Sequence, residues 1–267
     1  MEDGHPIGVI GGTGFETALR LDEARKVETP FGDAPTVHMG RIAERPAVFL
    51  PRHGAGHSLP PHRVNYRANI WALHRVGVRR LIATNAVGAL NPAVKPGNLV
   101  VPDDLLDFTK SRANTFYEGK PVLHVDFTEP YCRDIRAALI RAAEESGGNI
   151  WPRGTYVCTE GPRYETPAEI RVYRSLGGDV VGMTGCPEAA LARELGICYA
   201  SICIVSNMAA GLQDRVTTRE VVRVMQEKSA LLREVVTRAV ALIPVKKSCS
   251  CQASLREAGL EEETALF

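Results

Sequence analysis

Seven short runs along the chain are rich in apolar residues and are bounded by Gly or Pro. They are "PIGVIG" (6–11), "PAVFLP" (46–51), "RRLIATNAVGAL" (79–90), "GNLVVPDDLLDF" (97–108), "GTYVCTEGP" (154–162), "GDVVGM" (178–183) and "ICYASICIVSN" (197–207). Val and Ile dominate them, which predicts strands buried on both faces. Between them lie stretches at 64–77, 132–146, 167–177, 186–196 and 217–243, several with apolar residues at i, i+3 and i+4. That period predicts amphipathic helices, and several end at a Gly stop signal. Strands alternating with helices predict an α/β fold around one mixed, mainly parallel sheet. Residues 1–245 form the predicted domain and 246–267 a C-terminal tail, whose last stretch, 255–267, is polar and expected to be loosely attached.

Length and charge narrow the classes. The 267 residues suffice for a sizeable core, and a net charge of +1 supplies no field for nucleic acid or membrane. No apolar run approaches a membrane span, and the N-terminus is too polar for a secretory signal, so a cytoplasmic protein is expected. Seven cysteines are present. Cys132, Cys158, Cys186, Cys198 and Cys203 are scattered in apolar or mixed surroundings and read as buried free thiols. Cys249 and Cys251 stand close together, but no second cysteine pair or His pair along the chain completes a zinc site, so no metal is expected.

"GVIGGTGFETAL" (8–19) follows the first strand with glycines. The dinucleotide fingerprint needs Gly or Ala at 17, where Thr17 stands, and an NTP-binding loop needs a Lys that is absent. The turn can still present backbone N–H groups to an anion, with the Thr13 hydroxyl added. A free phosphate fits that description, and so does a merely structural turn. Arg52 and His53 follow directly after the second apolar run, and "TNAVGAL" (84–90) is a third strand end running into a small-residue turn. Arg52 offers a planar fork suited to phosphate. An oxidoreductase binding NAD on the Gly loop is disfavoured by the broken fingerprint. A catalytically silent binding module would need no anion donors at three strand ends.

The stretches "GVIGGTGF", "TPFG", "RHG", "VNYRANIWAL", "TNAVGAL", "EGPRYETPAE", "GMTGCPEAALARELGICYASI" and "SNMAAG" resemble, in order, the purine nucleoside phosphorylase and methylthioadenosine phosphorylase family. The resemblance implies a twisted central sheet flanked by helices and no organic cofactor. It also implies a homotrimer or a dimer of trimers, with a purine nucleoside and inorganic phosphate as the small-molecule partners. The implied reaction is phosphorolysis: phosphate displaces the purine from C1′ and leaves ribose 1-phosphate. By the same resemblance Thr13, Arg52, His53, the Asn85-Ala86 turn and Thr184 bind phosphate, and Met183 packs under the ribose. Tyr164 and Ala209 join Asn207 and Met183 in the substrate-binding set. His124 matches a position that reaches the neighbouring subunit's site.

The base end reads more directly. A 6-oxopurine presents acceptors at N7 and O6 and a hydrogen on N1. Asn207 can donate to N7 or O6, and an ionised Glu165 can accept from N1–H. Both are expected to stabilise the leaving base and so to be catalytic. Adenine offers a lone pair at N1 instead, and a mismatched buried polar site rejects an analogue strongly. Adenosine-type family members resemble one another in carrying Asp at the positions of Asn207 and Ala209 and a small polar residue at that of Glu165; this chain departs at all three. A 6-oxopurine enzyme, with hypoxanthine or guanine as leaving base, is therefore expected, with release of adenine from methylthioadenosine as the alternative. Glu165 also reads as an ordinary acid at a helix N-terminus.

At the sugar's 5′ end, ordinary nucleoside members use a His at the start of the last long helix. Here "RVTTREVVRVM" offers Thr218, Val221 and Val222, an apolar wall that suits a methylthio group; the same pattern also fits core packing. Finally, Cys249 and Cys251 resemble a Cys-x-Cys pair that forms a local disulfide in heat-stable members of the family.

Overall fold

The computed structural model describes residues 4–12, 23–33, 36–119 and 122–259. The strands are β1 (Ile7–Gly11), β2 (Glu23–Arg25), β3 (Val37–Ile42), β4 (Arg45–Pro51), β5 (Arg80–Ala89) and β6 (Leu99–Val100). They continue with β7 (Asp104–Phe108), β8 (Ile150–Trp151), β9 (Thr155–Thr159), β10 (Val180–Gly182) and β11 (Cys198–Met208). The helices are α1 (Tyr66–Arg75), α2 (Arg133–Glu145), α3 (Pro167–Ser175), α4 (Gly185–Glu194), α5 (Thr218–Leu242) and α6 (Ala253–Glu257). Each of the five predicted helices is present with ends within about two residues of the sequence pattern.

The runs that are apolar throughout become the central strands. Every residue of β1 is buried, and so is β11 up to Asn207. Side chains alternate across the sheet. Ile7, Val9, Ile82, Ile202 and Ile204 pack with α2 and α5. Ile10, Leu81, Ala83 and Tyr199 face the opposite way, onto α1 and α4. This is a helix–sheet–helix sandwich. Pairing is mainly parallel, as expected, with β4, β1, β5 and β11 running side by side.

Three details differ from the sequence pattern. The run 97–108 splits into β6 and β7 around Pro102, which has no N–H for a ladder. The half-exposed β3 carries no apolar run to announce it. The stretch 84–90 lies within the predicted strand run 79–90 and also reads as running into a small-residue turn; β5 persists through Ala89 without that turn, paired with β11.

That last difference creates the site. β1 pairs with β5 only as far as Ala83, and β10 joins β5 in antiparallel fashion only from Gly88. Among the described residues, 84–87 therefore keep β11 on one edge and no strand on the other. On its side, β11 changes register between Val205 and Asn207. Such a bulge re-aims the side chain that follows it.

The start of the C-terminal segment is docked. Ser248 N and Oγ donate to the Asp134 carboxylate, Cys249 N donates to it as well at 3.2 Å, and Cys251 is buried. Most of the polar stretch 255–267 lies outside the described residues.

Candidate active site

A cavity of about 280 Å³ opens along the edge of β5 that no described strand covers. Its wall includes Arg52, His53, Asn85, Ala86, Tyr164, Glu165, Met183, Thr184, Asn207, Ala209, Thr218, Val221 and Val222. The fold thus brings together residues spread over 170 positions of sequence. Thr13 lies outside the described residues, although its neighbour Gly12 lines the same cavity. His124 is exposed and is not part of the wall.

At one end the groups suit an anion. Arg52 is fully buried at the end of β4. Its Nε and Nη2 grip the two carboxylate oxygens of Glu188 on α4, the second bond at 2.9 Å, and Nη1 donates to the Thr84 carbonyl at 2.9 Å. Burial opposes its charge, but Glu188 outweighs burial and holds the guanidinium above its ordinary pKa. Tyr199 Oη donates to the same carboxylate at 3.0 Å. An arginine has five N–H donors, so two remain beyond these bonds. Gly12 is required beside it: a Cβ there would stand 2.8 Å from Arg52 Nη1.

His53 donates from Nδ1 to the Leu59 carbonyl at 2.8 Å. Burial, then the Arg52 charge, pushes its pKa down to about 3. It is neutral at physiological pH, and Nε2 is its remaining acceptor. Asn85 does not present its amide to the cavity as a free group. Nδ2 donates to Thr184 Oγ1 at 2.8 Å, while Oδ1 accepts from Ser201 Oγ at 2.6 Å. Asn85 thereby fixes the Thr184 oxygen and leaves the hydroxyl proton of Thr184 to be donated elsewhere. Thr184 is the residue before α4, whose second residue, Cys186, has extended backbone rather than helical geometry.

At the other end the groups suit a heterocycle. Glu165 precedes α3, where Thr166 forms a capping box with Glu169. The capping role therefore belongs to Glu169 and leaves Glu165 to the cavity. Thr159 Oγ1 donates to Glu165 Oε1 at 2.7 Å. Burial raises the Glu165 pKa above the ordinary carboxylate value. Asn207 follows the bulge of β11. Its Oδ1 accepts from Ser206 Oγ at 2.7 Å and one amide hydrogen goes to the Met208 carbonyl at 2.8 Å, so the second amide hydrogen remains. Gly88 makes room for it: a Cβ there would meet Asn207 Nδ2 at 3.1 Å.

Between the ends, Met183 packs close to Gly161, whose φ of +65° and lack of Cβ are both needed. Tyr164 Oη lies 3.4 Å from Thr218 Oγ1 at the mouth. Val216, Val221 and Val222 complete an apolar flank there.

Two residues escaped the sequence reading. Glu188 sits in a helical stretch with nothing to mark it as the partner of Arg52. Arg112 lies in a segment without regular structure. Its Nη1 donates to the carbonyls of Met183 at 2.7 Å and Cys186 at 2.6 Å, and Nη2 donates to that of Glu160 at 2.7 Å. It ties the two loops that carry Met183–Thr184 and Glu165. Only tertiary contact reveals either role.

Comparison with known proteins agrees with this architecture. The family model of the phosphorylase superfamily matches residues 6–241. The chain is 52% identical to 6-oxopurine nucleoside phosphorylase of Pyrococcus furiosus, covering 94% of this chain and 98% of that one. It is 53% identical to a probable S-methyl-5′-thioinosine phosphorylase of Methanothermobacter thermautotrophicus, covering 96% and 92%. The crystal structure of methylthioadenosine phosphorylase from Schistosoma mansoni in complex with adenine superposes with a TM-score of 0.89, at 35% identity over 95% of this chain and 97% of that one. The chain belongs to the phosphorylase superfamily, and within it to the nucleoside phosphorylases, which are pentosyltransferases.

Proposed function

We propose that the protein catalyses phosphorolysis of 6-oxopurine nucleosides and accepts a 5′-methylthio group on the ribose. The C1′–N9 bond breaks, a C1′–oxygen bond to phosphate forms, and the base leaves with the bonding electrons. It becomes neutral hypoxanthine or guanine by taking up one proton, balanced by the proton the hydrogen phosphate gives up as ribose 1-phosphate forms. The observation that carries this reading is one cavity with Arg52, His53 and Thr184 at one end and Glu165 and Asn207 at the other.

Hydrogen phosphate sits against the two spare Arg52 hydrogens, the Thr184 hydroxyl, the Ala86 segment and Thr13. Its single P–OH donates to His53 Nε2, which is the match for a neutral imidazole. Held there and stripped of water, the dianion faces C1′ and stabilises the positive charge that develops on the sugar. Met183 packs under the ribose. Asn207 donates its free amide hydrogen to N7 or O6, and ionised Glu165 accepts from N1–H, with Thr159 holding the other hydrogen bond to that carboxylate. Tyr164 and Ala209 bound the base and sugar. Inorganic phosphate is a substrate, and no organic cofactor takes part. In this reading the protein works in the cytoplasm as a homotrimer or a dimer of trimers, with His124 reaching a neighbour's site.

A second reading is release of adenine from methylthioadenosine. The raised pKa of Glu165 favours it to this extent: a protonated carboxyl donates to the N1 lone pair of adenine. A panel of inosine, guanosine, 5′-methylthioinosine, adenosine and 5′-methylthioadenosine, with and without phosphate, separates the two. Phosphate-dependent release of hypoxanthine, faster than release of adenine, is expected. A preference for methylthioadenosine overturns the 6-oxopurine reading. The exchange Asn207→Asp with Glu165→Ser is expected to shift preference toward 6-aminopurines.

A further inference from the structure

Four cysteines far apart in sequence converge away from the cavity. Cys132 immediately precedes α2, Cys198 opens β11, and Cys249 and Cys251 belong to the docked C-terminal segment. Their four Sγ atoms all lie within 4.8 Å of one another, and Cys198 and Cys249 are 3.5 Å apart. The pair that looked alone in the sequence is completed by the fold.

We propose that these four thiolates bind one Zn²⁺ ion that clips the C-terminal segment to the sheet. A Zn–S bond of about 2.3 Å in a tetrahedron sets sulfurs roughly 3.8 Å apart. The cluster is already near that spacing, and each sulfur has all three others as neighbours. That arrangement serves a shared centre. All-sulfur tetrahedral sites select zinc or iron over hard cations, and zinc needs no redox partner.

The surroundings hold the ligands in place. Asp134, two residues after Cys132, accepts hydrogen bonds from Ser248 N, Ser248 Oγ and Cys249 N. Arg133 donates to the Ser248 carbonyl. The start of α2 thus grips the Cys-Ser-Cys segment through its backbone as well as through sulfur. Arg133, Lys246 and Lys247 stand next to the cluster cysteines in sequence and supply positive charge to that part of the chain. As each Zn–S bond forms, a thiol releases its proton to solvent and no electron moves. Cys251 is buried in the same apolar cluster as Val235, Val236 and Ala239 of α5, so the clip ties α2, α5, β11 and the segment after Val245 together.

The test uses the full chain, purified without affinity metal and under mild reductant. Elemental analysis is expected to find about one zinc per chain. Replacing zinc by Co²⁺ is expected to give intense sulfur-to-cobalt charge-transfer bands and the ligand-field bands of a tetrahedral site. Cys249→Ser and Cys251→Ser, both away from the cavity, are expected to reduce zinc at least tenfold and to lower Tm, leaving phosphorolysis at room temperature within about twofold of wild type. In the denatured, zinc-stripped wild type all seven thiols should react. Reactivity confined to Cys158, Cys186 and Cys203 in a metal-free protein means that the cluster is disulfide-bonded and overturns the proposal. Seven free thiols with no bound metal overturn it too, and so does visible colour from iron in place of zinc.

Discussion

Arg52 and Glu188 form a bidentate ion pair with no solvent exposure on either side chain, directly beside the cavity. The pair aims a guanidinium that burial alone would leave uncompensated. Removing one partner of such a pair costs about 3–5 kcal/mol, because the other charge stays buried. Glu188→Ala is expected to lower stability by that order in denaturant titrations. It should also raise the KM for phosphate more than the KM for nucleoside. Arg52→Ala and Thr13→Ala should weaken phosphate use chiefly, and normal phosphate saturation in both would remove them from the anion end.

Glu165 sets a pH dependence of base choice. Its pKa is raised by burial, so protonation sets in above the ordinary carboxylate range. Above that pKa the ionised carboxylate accepts from N1–H of a 6-oxopurine. As pH falls through it, the acceptor is lost and a donor suited to adenine appears. The ratio of kcat/KM for inosine over adenosine should therefore rise with pH and level off once Glu165 is ionised. Glu165→Gln should flatten that ratio. A wild-type ratio independent of pH would remove Glu165 from base recognition.

Arg112 acts through the loops it ties. Losing hydrogen bonds from a charged donor to the carbonyls of Glu160, Met183 and Cys186 is worth about 1.5–3 kcal/mol for each, and they are not additive. Arg112→Ala is expected to raise KM for phosphate and nucleoside together and to lower kcat/KM on the order of tenfold or more. Arg112→Lys should recover part of the loss, since an ammonium reaches fewer of those carbonyls. An effect confined to Tm would make the residue purely structural.

The valine flank decides the 5′ group. Burying a methylthio group against Val221 and Val222 should gain roughly 1–2 kcal/mol, on the order of tenfold in specificity. A 5′-hydroxyl there loses water and gains no imidazole partner. Wild type should use 5′-methylthioinosine at least as well as inosine, and Val221→His should tilt kcat/KM toward inosine. A tenfold inosine preference in wild type would defeat the methylthio proposal and leave the base assignment standing.

Much of the fold was legible in the sequence because its signals are local. Buried parallel strands read as unbroken Val/Ile runs, and five helices announce themselves by period and stop signals. Arg52, His53, Glu165 and Asn207 could be picked out because they stand beside strand or helix ends, where an open α/β sheet meets its ligands. What the tertiary structure alone decided depends on partners distant in sequence. The stretch 84–87 belongs to a predicted strand run and also carries the small residues of a turn; pairing with β11 keeps it strand, and the edge that no described strand covers opens the cavity. Arg52 reads as a phosphate donor by its place after a strand, but only the structure shows that Glu188, 136 residues away, binds it. The two C-terminal cysteines look alone until α2 and β11 bring Cys132 and Cys198 beside them. Local pattern encodes which element forms, whereas charge pairing and ligand clusters are set only when the sheet order places those elements side by side.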